Sequence, residues 1–289
     1  MAFRTVVIDT HCKLEYSLNY FVYRTADEIK RILLDEIHTV IVNTTAASIT
    51  TDLLCELSTR KIKVVFCDEK ANPTSELIPY YGSHDCTKRI IEQTNWSTSI
   101  KGRVWSEIIK EKIRNQSKIL RKVGKEELSS QLLNYCDEVV FDDKTNREGH
   151  AAKVYFNNVF GEGFKRTDNS YINAALNYGY SIILSQFNRT ICSSGYLTQI
   201  GIHHKSENNQ FNFSCDLMEP FRPIVDKIAL STSEKTFKKD MIEITAMEIE
   251  INGKKYSFSQ AVSIYFNSVI NALTHDDINL ISFPNDYDL

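Results

Sequence analysis

Residues 97–123, STSIKGRVWSEIIKEKIRNQSKILRKV, read as one long helix. Ile108, Ile109, Ile113, Ile119 and Leu120 recur at helical spacing, while Lys110, Arg114, Lys118, Arg121 and Lys122 spread over another side. The stretch marks a change of pattern. Before it, Phe3–Asp9, Lys13–Ser17, Tyr20–Tyr23, Thr39–Asn43 and Lys63–Asp68 are short β-branched or aromatic runs typical of strands. One helix interrupts them at Ile49–Arg60, with Ser48 or Thr50 available as its cap. Asp68 to Tyr81 holds Pro73 and Pro79 and reads as a linker. After Gly82 helical spacing dominates, with helices near Thr87–Trp96, Lys125–Glu138, Asn146–Phe160, Ser170–Arg189, Leu217–Leu230, Thr236–Met247 and Ser259–Thr274. Glu248–Phe258 carries Asn252-Gly253 between alternating residues, a hairpin signal. The expected fold is α+β. A small β-rich N-terminal domain (1–78) is followed by a linker (79–86) and a larger all-α domain (87–289). A sheet with so few covering helices is expected to pair with a second copy, giving a homodimer.

Composition excludes several classes. The chain is 42% hydrophobic and 25% charged, as folded soluble domains are. No apolar run approaches the roughly 20 residues that span a bilayer. Asp9, His11, Lys13 and Glu15 near the start speak against a signal peptide. Seven scattered cysteines without a C-x-x-C pair point to reduced thiols in a cytoplasm and away from zinc ligation. The net charge of −3 argues against a uniform basic coat. The distribution is uneven, however. Lys101–Lys125 holds nine basic residues against Glu107 and Glu111, a local excess of seven positive charges. That asymmetry can direct a polyanion to one surface. Lys118, Arg121 and Lys122 are the candidate phosphate contacts there.

Chemistry-bearing residues concentrate in Ser193–Val225, SSGYLTQIGIHHKSENNQFNFSCDLMEPFRPIV. His203 and His204 follow Gly201 in an expected loop. Asp216 and Glu219, three apart, share one face of a helix that Asp216 is placed to cap. Pro220 falls in the first turn of that helix, and Pro223 is expected to kink it or delay its regular part. Upstream, Glu148 opens a helix at NREGHAAK; taken alone it reads as a complement to the helix dipole. Asn173, Asn177 and Tyr180 form a polar stripe on an apolar helix, which either caps a loop or supports a site.

E-G-x-A-A-K at Glu148–Lys153, N-A-A-L-N-Y-G-Y at Asn173–Tyr180, G-x-H-H at Gly201–His204 and D-L-M-E-P-F-R-P at Asp216–Pro223, in this order, resemble CRISPR-associated protein one. That family is the DNA integrase and endonuclease of CRISPR spacer acquisition. The resemblance covers nearly the whole chain. The H-H-K-S-E-N-N-Q-F-N run at 203–212 and the Glu at 219 look like the type II-A branch.

The resemblance implies that Glu148, His204 and Glu219 are catalytic and ligate a metal. Many members have Asp where this chain has Glu219, which lengthens that ligand by one methylene. Two carboxylates and an imidazole suit Mg²⁺ or Mn²⁺. The implied reaction is attack of a DNA 3′-hydroxyl on a phosphodiester at the edge of a repeat. Asp216 and His203 are candidates for a second metal or for orientation. Lys205 and Arg222 are candidates for a phosphate oxygen, with an ion pair to Glu219 or Asp226 as the competing role of Arg222. Tyr178, Tyr180 and Tyr196 are candidates for stacking on DNA, with core packing as the competing role. Implied partners are prespacer and leader-repeat DNA, a dimer of CRISPR-associated protein two, the effector nuclease of the locus and a further adaptation protein. A cytoplasmic, membrane-free setting goes with them. A non-specific metal-dependent nuclease and a non-catalytic DNA-binding scaffold are the competing readings.

Overall fold

The computed structural model describes residues 4–79 and 83–284. The chain divides into two compact units: Met1–Cys86 with Cys192–Gly195, and Thr87–Ile191 with Tyr196–Leu289. Residues 80–82 of the expected linker, and Phe3 at the head of the first expected strand, lie outside the described residues.

The first unit holds two four-stranded sheets. One has the order β1 (Arg4–Ile8), β5 (Ile37–Val42), β7 (Lys63–Cys67), β8 (Pro73–Glu76). In it β1, β5 and β7 run parallel and β8 is antiparallel to β7. The other has the order β4 (Ile29–Leu33), β3 (Tyr20–Arg24), β2 (Cys12–Ser17), β6 (Ala47–Ile49). Its β4, β3 and β2 are antiparallel, and β6 joins β2 in parallel. Helix α1 (Thr51–Thr59) packs on β2 and β7. Its cap is Thr50, whose hydroxyl accepts from Leu53 N–H at 3.3 Å. Leu14, Phe21, Val40, Leu53, Leu57 and Val64 close a shared core.

One reading of the sequence is corrected and one strand is added. Pro73–Glu76 is not linker but edge strand β8, where a proline loses no interior ladder bond. The run Ile29–Leu33, outside the elements expected from the sequence, pairs along β3 at the sheet edge.

The second unit is built around α3 (Thr98–Lys122), capped by Ser97. Around it pack α4 (Glu126–Asp137), α5 (Arg147–Val159), α7 (Asn212–Met218), α8 (Arg222–Ser231) and α10 (Phe258–His275). Helices α2 (Cys86–Asn95), α6 (Tyr171–Ser193) and α9 (Phe237–Ile242) complete the helical set. The hairpin appears as β9 (Glu248–Ile251) and β10 (Lys254–Ser257). Asn252 and Gly253 both take positive φ, as its tight turn requires.

Helix α3 departs from expectation. It is buried around most of its circumference, with Lys112, Glu111, Asn115, Gln116 and Ser117 buried as well as its isoleucines. A continuous basic face is therefore absent. Lys110 pairs with Glu107, Arg114 with Glu111, Arg103 with Asp276 and Arg121 with Glu126. Lys118, Arg121 and Lys122 remain exposed near its C-terminal end.

The helix expected from Leu217 begins at Asn212, so Asp216 lies inside it, fully buried, and caps nothing. The prolines act as expected. Glu219–Phe221 forms a 3-10 turn and the regular helix resumes at Arg222 as α8. Among the described residues no helix is long and apolar enough to cross a membrane.

Candidate active site

Glu148 stands in the first turn of α5, and two groups fix that end. Asn146, at φ 52°, caps the helix by accepting from Gly149 N–H at 3.2 Å. Asp143 accepts from Arg147 N–H at 2.9 Å and from Glu148 N–H at 3.0 Å. A carboxylate on free helix N–H groups is favoured by charge as well as geometry.

Asp216 organises the histidine loop. One oxygen accepts from Ile202 N–H at 2.6 Å and His203 N–H at 3.1 Å. The other accepts from His204 N–H at 3.0 Å and lies 2.6 Å from His204 Nδ1. With Nδ1–H donating to a carboxylate, Nε2 keeps the lone pair that a metal takes. The Asp216 hydrogen bond raises the His204 pKa above its ordinary value; burial opposes this, and Glu219 and Glu148 add to it. Gly201 is required by this packing. A Cβ there would lie 2.5 Å from His204 O and 2.6 Å from Asp216 Oδ2. His203 stacks on Trp105 at 4.2 Å and 6°, and its Nδ1 lies 3.0 Å from Asp142 Oδ1. Trp105 also meets His204 edge-on.

Glu148 and Glu219 converge on Lys112 of α3. The Lys112 ammonium donates to Glu148 Oε1 at 2.5 Å and forms a short ion pair with Glu219 Oε2. Arg222 Nε donates to the other Glu219 oxygen at 2.7 Å. Burial alone would raise the Glu219 carboxyl; Arg222 and Lys112 outweigh it and hold the group at about 2. Burial would lower the Lys112 pKa, but Glu219 and Glu148 reverse the sign and raise it. Behind this pair, the Arg222 guanidinium lies 4.7 Å from the Tyr180 ring, and Tyr180 donates to buried Asp226. Burial pushes the Asp226 carboxyl up to about 6, against the hydrogen bonds of Tyr180 and Tyr155. Glu219 is sealed at 4% side-chain exposure, whereas Glu148 at 31% and His204 at 42% face an opening.

Beside His204 lies a cavity of about 620 Å³, lined by Lys101, Lys205 and amide side chains such as Gln199, Asn208 and Asn212.

A model of the family described as CRISPR associated protein Cas1 matches residues 5–256. The chain belongs to this family. The CRISPR-associated endonuclease Cas1 of Neisseria meningitidis serogroup C (strain 8013) is 29% identical over 293 residues, covering 98% of this chain and 96% of its own. Among solved structures, a casposase bound to integration product has a TM-score of 0.74 at 17% identity, covering 95% of this chain and 93% of its own. A Cas6-RT-Cas1--Cas2 complex chain has a TM-score of 0.75 at 17% identity, covering 99% of this chain and 36% of its own. At such identity these two structures speak for the Cas1 fold.

The sequence-derived residues of this Cas1 chain fall into groups. Glu148 and Glu219 meet at one cation position, with His204 close enough to feel both charges. Asp216 and His203 support the loop. Arg222 takes its competing role as the ion-pair partner of Glu219. Asn173 and Asn177 serve a loop: each accepts from Arg166 at 2.6 Å, and Asn173 donates to Lys165 O and Asp168 O. Tyr178, Tyr180 and Tyr196 are buried core, which removes them as stacking platforms. Lys205 is exposed on the cavity rim. Lys112, Asp143 and Trp105 escape a reading by motif. Lys112 nonetheless follows Ile108 by four and Ile109 by three, which puts it on the apolar stripe of α3.

Among the described residues no three His, Cys, Asp or Glu side chains converge closely enough to hold an ion as they stand. The donor set fits a hard divalent ion all the same. Two carboxylates already share a cation, and an oriented imidazole lies beside them. The oxygens that such an ion would take are the ones Lys112 engages.

Proposed function

We propose that this Cas1-family chain is a metal-dependent DNA integrase of CRISPR adaptation with associated endonuclease activity. It joins the 3′-hydroxyl ends of short foreign DNA to the edge of a CRISPR repeat by transesterification. The observation that carries the reading is the convergence of Glu148 and Glu219 on one cation position, beside an imidazole whose Nδ1 is committed to Asp216. Glu148, Glu219 and His204 Nε2 are the groups that would hold Mg²⁺ or Mn²⁺. Such an ion, when bound, favours the alkoxide of the attacking hydroxyl and neutralises charge on the phosphoryl oxygens. The protein fixes the geometry: Asp216 sets the His204 tautomer, Asp143 aims the first turn of α5, and Arg222 holds the buried Glu219 ionised. Lys205 and Lys101, on the cavity next to His204, offer ammonium groups to a DNA phosphate.

The casposase and Cas1--Cas2 likenesses support DNA and CRISPR-associated protein two as partners. The type II-A branch, and with it an effector nuclease and a further adaptation protein, rests on residues 203–212 and on Glu219. Self-association through the two-sheet unit is proposed from its lightly covered sheets, and sedimentation of the full chain tests it. The endonuclease name of the Neisseria relative favours a second reading, hydrolysis with water as nucleophile.

Co-purification with CRISPR-associated protein two, followed by incubation with labelled prespacer and leader-repeat DNA in Mn²⁺, tests the proposal. Joined strands are expected from the wild type. Glu148→Ala and His204→Ala should each abolish joining with the fold intact, and His203→Ala should be milder. Glu219→Ala should abolish joining and also lower stability, because it leaves Lys112 and Arg222 facing a buried gap. Cut strands without joined ones would leave the hydrolytic reading. Wild-type joining by His204→Ala would show that the ligand assignment is wrong.

A further inference from the structure

We infer that Lys112 is the resident counter-ion of this site, and that a divalent ion must displace it from Glu148 and Glu219 in order to bind. The inference rests on the metal reading above and adds a residue that the ligand set does not contain. Both oxygens of Glu219 are engaged, Oε1 by Arg222 and Oε2 by Lys112. Glu148 uses Oε1 for the same ammonium. A metal bridging the two carboxylates therefore competes with a cation already in place.

Of the two cations, Lys112 is the one to yield. The Arg222 guanidinium is backed by the Tyr180 ring at 4.7 Å and contacts only Glu219 of the pair. The Lys112 ammonium sits on a flexible stem and is the group common to both carboxylates. Two carboxylates facing two cations make the cluster neutral without a metal. The protein can thus bury Glu219, at 3% exposure, before any ion arrives. A divalent ion entering from the exposed Glu148 side would leave excess positive charge if Lys112 stayed on its oxygens. Lys112 accordingly stabilises the metal-free fold and lowers metal affinity.

The test uses the full chain in two conditions. In EDTA, thermal unfolding is followed for the wild type, Lys112→Met, the pair Glu148→Gln/Glu219→Gln, and the triple variant. Methionine keeps the length of the stem. Lys112→Met should lower Tm by about 5–10 °C in the wild-type background, where it leaves the buried Glu219 Oε2 without its cation. In the Gln/Gln background the same change should raise Tm, since it removes a stranded ammonium. Equal losses in both backgrounds would overturn the inference and make Lys112 a packing residue. If Lys112→Met alone does not fold, the sign is read from the Gln/Gln pair against the triple variant, and a less stable triple variant overturns it.

In the second condition, Mn²⁺ binding is measured by calorimetry without DNA. Lys112→Met should bind about tenfold more tightly than the wild type, whereas Lys112→Arg, which keeps the charge, should not. Unchanged or weaker binding by Lys112→Met overturns displacement. Absence of Mn²⁺ binding in every variant overturns the metal reading, and displacement with it. The sign reversal in EDTA then decides the counter-ion pairing separately.

Discussion

Asp216→Asn isolates the device that aims His204. The carboxylate accepts from three backbone N–H groups, at 2.6, 3.1 and 3.0 Å, and from the His204 ring at 2.6 Å. An amide keeps one acceptor oxygen and turns an NH₂ toward the other two donors. If the oxygen stays with His204, the Ile202 and His203 N–H groups lose their acceptor inside a fully buried pocket. Two hydrogen bonds to a charged group, each worth about 1.5–3 kcal/mol, give an expected loss of about 3–6 kcal/mol. If instead the NH₂ faces His204, Nδ1 must become the acceptor and Nε2 carries the proton. That tautomer cannot ligate. Either way Mn²⁺ affinity should fall by about 10–100-fold, the usual consequence of removing a group that orients a ligand. Urea unfolding in EDTA measures the first quantity and calorimetry the second. Wild-type stability together with wild-type affinity would show that Asp216 neither holds the histidine loop nor orients His204.

Ligand charge should matter more than ligand length, so Glu219→Asp should retain more strand transfer than Glu219→Gln in the labelled-DNA assay. Asp226 gives a pH signature of known sign. Its carboxyl is raised from an ordinary 3.8 to about 6 in the folded state. Its contribution to stability is therefore full below about 3.8 and is lost as pH rises through about 6. Asp226→Asn removes that loss, and its stability relative to the wild type should rise by about 2 kcal/mol between pH 4 and 6.5, read from urea midpoints. Reversing Lys118, Arg121 and Lys122 to Glu should weaken binding to all DNA sequences alike. It should also flatten the salt dependence by about 0.9 for each phosphate no longer neutralised; unchanged affinity and slope would make these residues a solvated helix end.

How far the sequence reveals the fold depends on how local each signal is. The strands with alternating or β-branched runs, the Thr50 cap and the Asn252-Gly253 turn are set by neighbouring residues and can be read directly. Strand β8 exists because β7 offers an edge, and nothing within PTSE announces it. The start of α7 at Asn212 has no capping side chain behind it; Phe213 and Leu217, both fully buried, hold that segment helical through packing. Tertiary burial overrides the local signal there, which favours a start at Leu217. The same holds for the site. Glu148, His204 and Glu219 lie in motifs whose order carries information. Lys112 lies in a run of basic residues, where a sum of charge hides it. Counting charge discards direction, and direction is what separates a solvated lysine from one buried among carboxylates.

Helix α3 explains why the site's segments, far apart in sequence, fall into register. Trp105 supports the histidine loop from beneath. One residue on, Ser106 Oγ accepts from Asp142 N–H at 2.9 Å and lies 3.1 Å from Val140 O, which holds the segment leading into α5 and Glu148. Lys112 then joins Glu148 to Glu219. Asn115, three residues further, donates to Pro220 O at 3.2 Å and ties down the 3-10 turn that carries Glu219. These four residues span three turns of one rigid helix, so each segment is set against a common ruler and not merely against its neighbour. A helix with this task cannot present a free basic face along its length. Lys112 is used inward, most of the other basic groups along its middle pair with carboxylates, and the last turns are left to meet solvent or a polyanion. Of the nine basic residues behind the charge excess, Lys112 is thus the counter-charge of the buried acidic site. Lys110, Arg114, Arg103 and Arg121 pair with Glu107, Glu111, Asp276 and Glu126. It falls to Lys101 beside the cavity, and to Lys118, Lys122 and Lys125 toward the far end of the helix, to meet a polyanion.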